Sequence, residues 1–112
     1  IQGTPSYWTL LTDNEFKPLQ NLKLLSAGEP LTKQLFEKLS HLFEIHDLYG
    51  PTETTVYVTH HRVKDEVDIH SIGSPLFNTQ IYILDQSLTQ VPIGAIGQIF
   101  IGGDGLARGY IN

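Results

Sequence analysis

Between Leu22 and Pro51 the chain carries two short apolar runs separated by one amphipathic segment, and that arrangement leaves few folds open. Leu22-Lys23-Leu24-Leu25-Ser26-Ala27 is short, apolar and bounded by Gly28, and it reads as a buried strand. From Thr32, which is placed to act as an N-cap, Leu35, Phe36, Leu39, Leu42 and Phe43 recur at the spacing of one helical face. Glu44-Ile45-His46-Asp47-Leu48-Tyr49 is a second strand, stopped by Gly50-Pro51. A strand, a helix and a strand with a crossover of that length predict a parallel α/β unit, since antiparallel neighbours need only a tight turn.

The flanks extend this unit in two different ways. Upstream, Ile1-Gln2-Gly3 reads as a strand end, and Thr4-Pro5-Ser6 as a turn and cap ahead of a helix through Tyr7, Trp8, Leu10 and Leu11. Asp13-Asn14 and Lys17-Pro18 break that helix. Downstream, Val56-Tyr57-Val58-Thr59, Thr79–Leu84 and Gln98-Ile99-Phe100-Ile101 are β-branched or aromatic and predict mainly antiparallel strands joined by turns. The polar stretch Lys64–Ser71 separates an α/β part, 1–64, from a β-rich part with a glycine-rich tail, 65–112. There is no internal repeat and no low-complexity tract.

Composition narrows the function classes. A chain of 112 residues with net charge −5 is one modest unit or a piece of one, and it offers no basic surface for nucleic acid. Without cysteine it has neither disulfides nor thiolate zinc sites, which is compatible with a reducing compartment. No apolar run approaches the roughly 20 residues of a membrane span, and no signal peptide pattern opens the chain. The expectation is a soluble, cytoplasmic protein with no nucleic acid and no membrane partner. Because it starts at Ile1 and contains no methionine, it is also expected to be a segment of a longer polypeptide.

Chemistry concentrates in Asp47–Thr55, directly after a strand of the predicted parallel sheet, where ligands of such sheets bind. Tyr49 can stack on a base, Gly50 permits close backbone approach, Thr52 can donate to a phosphate oxygen, and Glu53 is a hard oxygen ligand for magnesium. The same residues also suit a plain strand-to-helix turn, with Pro51 early in the helix, Thr52 or Thr54 capping it and Glu53 complementing its dipole. Gly94–Tyr110 is likewise readable as a hairpin and a glycine-rich bend. His60 and His61 are adjacent, so on a strand they face opposite ways, and no histidine pair has a zinc spacing. No serine sits in a nucleophile-elbow context, and Asp65-Glu66-Val67-Asp68 reads as a solvated loop.

Taken together, Leu48-Tyr49-Gly50-Pro51-Thr52-Glu53-Thr54-Thr55, Ile72-Gly73-Ser74-Pro75 and Gly102-Gly103-Asp104-Gly105-Leu106-Ala107-Arg108-Gly109-Tyr110-Ile111-Asn112 resemble the adenylation domain of nonribosomal peptide synthetases, an acyl-adenylate-forming enzyme. Thr4-Pro5-Ser6-Tyr7-Trp8 and Ser26-Ala27-Gly28-Glu29-Pro30-Leu31 are similar to the family's upstream segments, so the resemblance covers essentially the whole chain. The fold it implies is α/β, within the large N-terminal subdomain. The activity it implies is activation of an amino acid with ATP and Mg2+ to an aminoacyl adenylate, then transfer to the phosphopantetheine thiol of a carrier protein, beside condensation domains, in secondary metabolite biosynthesis.

By matching position, the resemblance implies that Tyr49 packs on adenine, with Asp47, Gly50 and the Gly28-Glu29 backbone bordering the base. Thr52 would contact the α-phosphate and Glu53 would hold magnesium, both as catalytic residues. Gln2, Leu25, Ala27, Leu48, Val56 and Tyr57 would line the amino acid pocket. These are mostly apolar and point to a medium to large apolar or aromatic amino acid, with Gln2 and Tyr57 able to receive one polar group. The tail and Arg108 would be structural. Two positions depart from the family's habit: Asp47 stands where Asn is common, and Gln98 where Glu is common. An ionised Asp47 can accept a hydrogen bond but cannot donate one.

The phosphate-binding loop, the aspartates for the substrate amine and the ribose, and the C-terminal lysine of the family have no counterpart here, so the piece alone is expected to be inactive and only marginally stable. An acyl-CoA or aryl-acid ligase shares the Tyr-Gly-x-Thr-Glu core, but the Pro51–Thr55 wording and the Gly-Leu-Ala-Arg-Gly-Tyr ending favour the synthetase. A non-catalytic structural or recognition subdomain is the alternative of a different class.

Overall fold

Three parallel strands stand side by side in a computed structural model that describes residues 1–12 and 22–111. They are β1 (Gln2–Gly3), β2 (Lys23–Ala27) and β3 (Glu44–Tyr49). β4 (Thr59–Val63) joins the edge of β3 antiparallel, and β5 (Ser74–Pro75) pairs with β4, which completes a five-stranded sheet. β6 (Thr79–Leu84) and β7 (Gln98–Gly103) form a separate antiparallel pair with Ile81 opposite Ile101. The expected α/β unit running into antiparallel strands is therefore observed. Asp13-Asn14, Lys17-Pro18 and Asn112 lie outside the described residues.

Helix α1 (Pro5–Thr12) begins two residues earlier than a Ser6 cap would place it. Proline's fixed φ and missing N–H suit the first helical position, so Pro5 enters the helix and Thr4 stands at the cap, its Oγ1 accepting from the Tyr7 amide at 3.3 Å. Helix α2 (Lys33–Ser40) is capped by Thr32 as expected, through the Leu35 amide at 3.3 Å. It ends at Ser40, which leaves Leu42 exposed while Phe43 still reaches the core.

Both helices cover one face of the sheet. Leu24, Ile45 and Val63 lie in lateral register on that face and pack against Trp8, Leu35, Phe36 and Leu39. Trp8 is 2% exposed and its indole N–H donates to the Gly3 carbonyl at 3.1 Å, which ties α1 to the end of β1. Each such side chain contributes about 1.5–3 kcal/mol by leaving water. The opposite face, carrying Leu25, His46, Leu48 and Arg62, has no helix over it among the described residues.

The strand expected at Val56–Thr59 begins only at Thr59. Thr55 and Val56 hold φ of 53° and 75°, in the left-handed region, and a β-branched residue there marks a tight, strained return. Gly50 makes that return possible, since a Cβ at this position would sit 2.2 Å from the Val56 carbonyl oxygen. The Val58 amide then donates to the Tyr49 carbonyl at 2.8 Å and launches β4.

Candidate active site

The candidate residues gather where β1, β2 and β3 end, and strand alternation sorts them. Asp47 and Tyr49 face the helix side of β3, whereas Leu48 faces the other side, in register with Ala27. Gln2 pairs with Leu25 on that same second side. The residues matched to the nucleotide and those matched to the amino acid thus fall on opposite faces of one sheet, although they alternate along the sequence.

Two chambers result, each of about 580 Å³. The first is lined by Glu29, Asp47, Leu48 and Tyr49, with Ile69–Ile72 as its far wall. The second is lined by Gln2, Ala27, Thr52, Thr55, Val56 and Tyr57. Gly28 and Gly50 border both, so the chambers meet at a waist of two residues without side chains. Of the expected amino acid residues, Leu25 lines neither chamber and Leu48 lines the first. Gln2 Nε2 donates to the Tyr57 hydroxyl, so the two polar candidates of the second chamber hold each other.

Thr52–Thr54 forms a single 3₁₀ turn with Pro51 at its cap position. Neither Thr52 nor Thr54 caps it, contrary to the plain-turn expectation. The Thr54 hydroxyl instead donates to the Pro51 carbonyl at 2.8 Å and leaves Thr52 exposed beside the waist. Glu53 is exposed, and its Oε1 accepts from the Tyr110 hydroxyl at 2.7 Å. That contact holds the Glu53 carboxyl below the usual carboxylate range, so it is ionised at neutral pH. The glycine-rich tail does more than lead the chain onward: the Ala107 amide donates to the Glu53 carbonyl and Thr55 Oγ1 to the Gly105 carbonyl, both at 2.7 Å.

Glu29 serves the first chamber through its place in the wall, not as a free charge. Its Oε2 accepts from the Ser6 hydroxyl at 2.5 Å and the Ser6 amide at 3.0 Å, which lowers its pKa and anchors the start of α1. Asp47 behaves oppositely. Burial pushes its carboxyl up to about 6, against the lowering effects of the Leu48 amide and of His61. Its Oδ1 is buried without a hydrogen-bond partner. Ser26 and His61 lie in register on either side of it; Ser26 Oγ is likewise buried without a hydrogen-bond partner, and the buried His61 Nε2 lies 3.5 Å from Asp68 Oδ1.

Sequence reasoning passed over this row, the Ile69–Ile72 wall and the Tyr110 contact, because each depends on strand register or on residues distant along the chain. It also passed over a network on the opposite face. His46 Nδ1 lies 2.6 Å from His60 Nε2 with the rings stacked, and Glu44 joins His46, Lys23 and Arg62. His60 and His61 do face opposite ways, and among the described residues no group of three His, Cys, Asp or Glu could hold a metal. Among the described residues no helix is long and apolar enough to cross a membrane.

The AMP-binding enzyme family profile matches residues 1–111. A dimodular nonribosomal peptide synthase of Bacillus subtilis (strain 168) is 40% identical over 100% of the chain, which spans 5% of that protein. Tyrocidine synthase 3 of Brevibacillus parabrevis is 41% identical over 100% of the chain, which spans 2% of it. Among solved structures, a holo four-domain nonribosomal peptide synthetase bound to AMP and glycine superposes with a TM-score of 0.87 at 42% identity, over 97% of this chain and 8% of that one. A synthetase protein containing adenylation and PCP domains gives 0.85 at 30% identity, over 97% and 24%. The chain spans only a small part of each relative's length. With its full extent matched and its strand ends arranged as above, it belongs to the AMP-binding enzyme family, and it is similar from end to end to segments of nonribosomal peptide synthetases.

Proposed function

We propose that this chain forms the junction of an amino acid adenylation domain, where the substrate carboxylate meets the α-phosphate of ATP. The observation that carries this reading is the waist: two chambers on opposite faces of one sheet meet at Gly28 and Gly50, with Thr52 exposed beside them. Adenine would occupy the first chamber against Tyr49, bordered by Asp47, Gly50 and the Gly28-Glu29 backbone. The amino acid would occupy the second. Its carboxylate oxygen attacks the α-phosphorus, the bond to the β-phosphate oxygen breaks, and pyrophosphate leaves with the electron pair. The Thr52 hydroxyl donates to an α-phosphate oxygen, where charge builds on the pentacovalent phosphorus.

Mg2+ fits the residues present. It is held by one or two carboxylates together with phosphate oxygens and water, and Glu53 offers one ionised, exposed carboxylate in the turn after β3, next in sequence to Thr52. When bound, the ion offsets phosphate charge. The product would pass to the phosphopantetheine thiol of a carrier protein within an assembly line. The apolar second chamber favours a medium to large apolar or aromatic amino acid, with the Gln2–Tyr57 pair accepting one polar group. A soluble, cytoplasmic setting and a division near residues 64–71 belong to the same reading.

The test is amino acid-dependent ATP–pyrophosphate exchange, across a panel of amino acids, by the polypeptide that restores both flanks. Exchange with one or two amino acids, lost in Glu53→Ala, is expected. Activity on fatty or aryl acids alone would move the chain to the acyl-ligase branch, and silence on every acid would overturn the reading.

A further inference from the structure

We propose that Tyr110 is a positioning residue for the metal-binding carboxylate: its hydroxyl holds Glu53 in the orientation from which that side chain meets Mg2+. This rests on Glu53 being the residue that takes the ion. Glu53 is exposed on a single 3₁₀ turn, and the Tyr110 hydroxyl donates to its Oε1 at 2.7 Å. Among the described residues no lysine, arginine or histidine forms an ion pair with it.

The chemistry of the partner fits this task. An exposed glutamate turns about three side-chain bonds, whereas magnesium demands near-ideal octahedral geometry, so a carboxylate that must meet it gains from being held. Carboxylates that bind metals are themselves hydrogen-bonded for this reason. A phenol is a neutral donor that occupies one lone-pair site and leaves the other sites and the negative charge to a cation. A guanidinium or ammonium in its place would also fix the carboxylate, but it would cancel the charge that attracts the ion.

The path of the tail brings Tyr110 to this position. Gly103, the last residue of β7, has φ of 123°, and a Cβ there would sit 2.0 Å from the carbonyl oxygen of Asn78, which accepts from the Asp104 amide at 3.2 Å. From that anchor the tail crosses the turn, where Thr55 Oγ1 donates to the Gly105 carbonyl and the Ala107 amide to the Glu53 carbonyl. Those two bonds suffice to fasten the tail. Tyr110 adds little packing, since it is 73% exposed, and its hydroxyl is spent on the charged group of the turn. Main chain and side chain of Glu53 are thus both held by the tail.

Calorimetry on the polypeptide that restores both flanks measures ATP affinity with Mg2+ in excess and with the metal chelated, and the ratio of the two is the gain the ion brings. Tyr110→Phe removes one exposed oxygen and leaves the core untouched. It is expected to cut that gain by about tenfold and to leave the metal-free affinity unchanged, whereas a hydroxyl that only braces the tail would move both affinities together or neither. Glu53→Gln should lose most of the gain, and Tyr110→Phe added to it should cost nothing further, because no metal-binding charge remains to be oriented. If Glu53→Gln loses the gain while Tyr110→Phe keeps it, or lowers both affinities equally, the role of Tyr110 is overturned and the reading of Glu53 stands. If Glu53→Gln keeps the gain, Glu53 is not the ligand and the inference falls with that reading.

Discussion

The Tyr110 hydroxyl donates to Glu53 Oε1 at 2.7 Å, joining residues 57 positions apart and fastening the glycine-rich tail to the turn after β3. The same strap carries the Ala107 amide on the Glu53 carbonyl. In Tyr110→Phe, the Ala107 amide should exchange with deuterium several-fold faster, while amides of β2 and β3 keep their protection. Because the Glu53 pKa is depressed, the carboxylate's share of this strap is present above the ordinary carboxylate range and lost as pH falls through the depressed value. Acid should therefore release the tail in wild type and change little in Tyr110→Phe.

Gly50→Ala should be among the most damaging single substitutions. The added carbon would meet the Val56 carbonyl oxygen and the Tyr57 Cα, both backbone atoms that cannot swing aside. A cost above about 2 kcal/mol is expected from overpacking, together with loss of nucleotide binding. Urea unfolding and calorimetry on the same protein would check both, and normal nucleotide affinity in a folded Gly50→Ala protein would contradict it.

Thr32→Ala removes the side chain that caps α2 at the Leu35 amide. A loss of about 1 kcal/mol is expected, read as a lower urea midpoint with an unchanged slope, and catalytic constants should stay as they were.

The 112-residue chain by itself should show no pyrophosphate exchange and a low, weakly cooperative melt. Phe77, Ile93 and Ile96 are fully exposed, and the β6–β7 pair presents Tyr82 and Ile99 to solvent. Dye binding to exposed apolar surface should be strong. A sharp, high-temperature transition would refute this.

Residues with a local signature were legible in the sequence. The α2 face, its Thr32 cap and the run Glu44–Tyr49 all follow from spacing and punctuation, and the parallel pairing of β2 and β3 follows from the crossover between them. The start of β4 was not legible, because β-branched propensity at Val56 lost to a close return over Gly50 that only the third dimension reveals. The site divided along the same line. Asp47, Tyr49, Thr52 and Glu53 stand in one short motif, whereas Ser26 and His61 join Asp47 through register, and Tyr110 reaches Glu53 through the tail.

The alternation of side chains along β2 and β3 has a consequence for how such proteins diversify. Ala27 and Leu48 face one way, while Ser26, Asp47 and Tyr49 face the other. A mutation on one side rewrites what that wall accepts and leaves the opposing wall's chemistry in place. Neighbouring codons are thereby free to drift under separate selection, whereas a single inserted residue in either strand would exchange the two walls and is effectively forbidden.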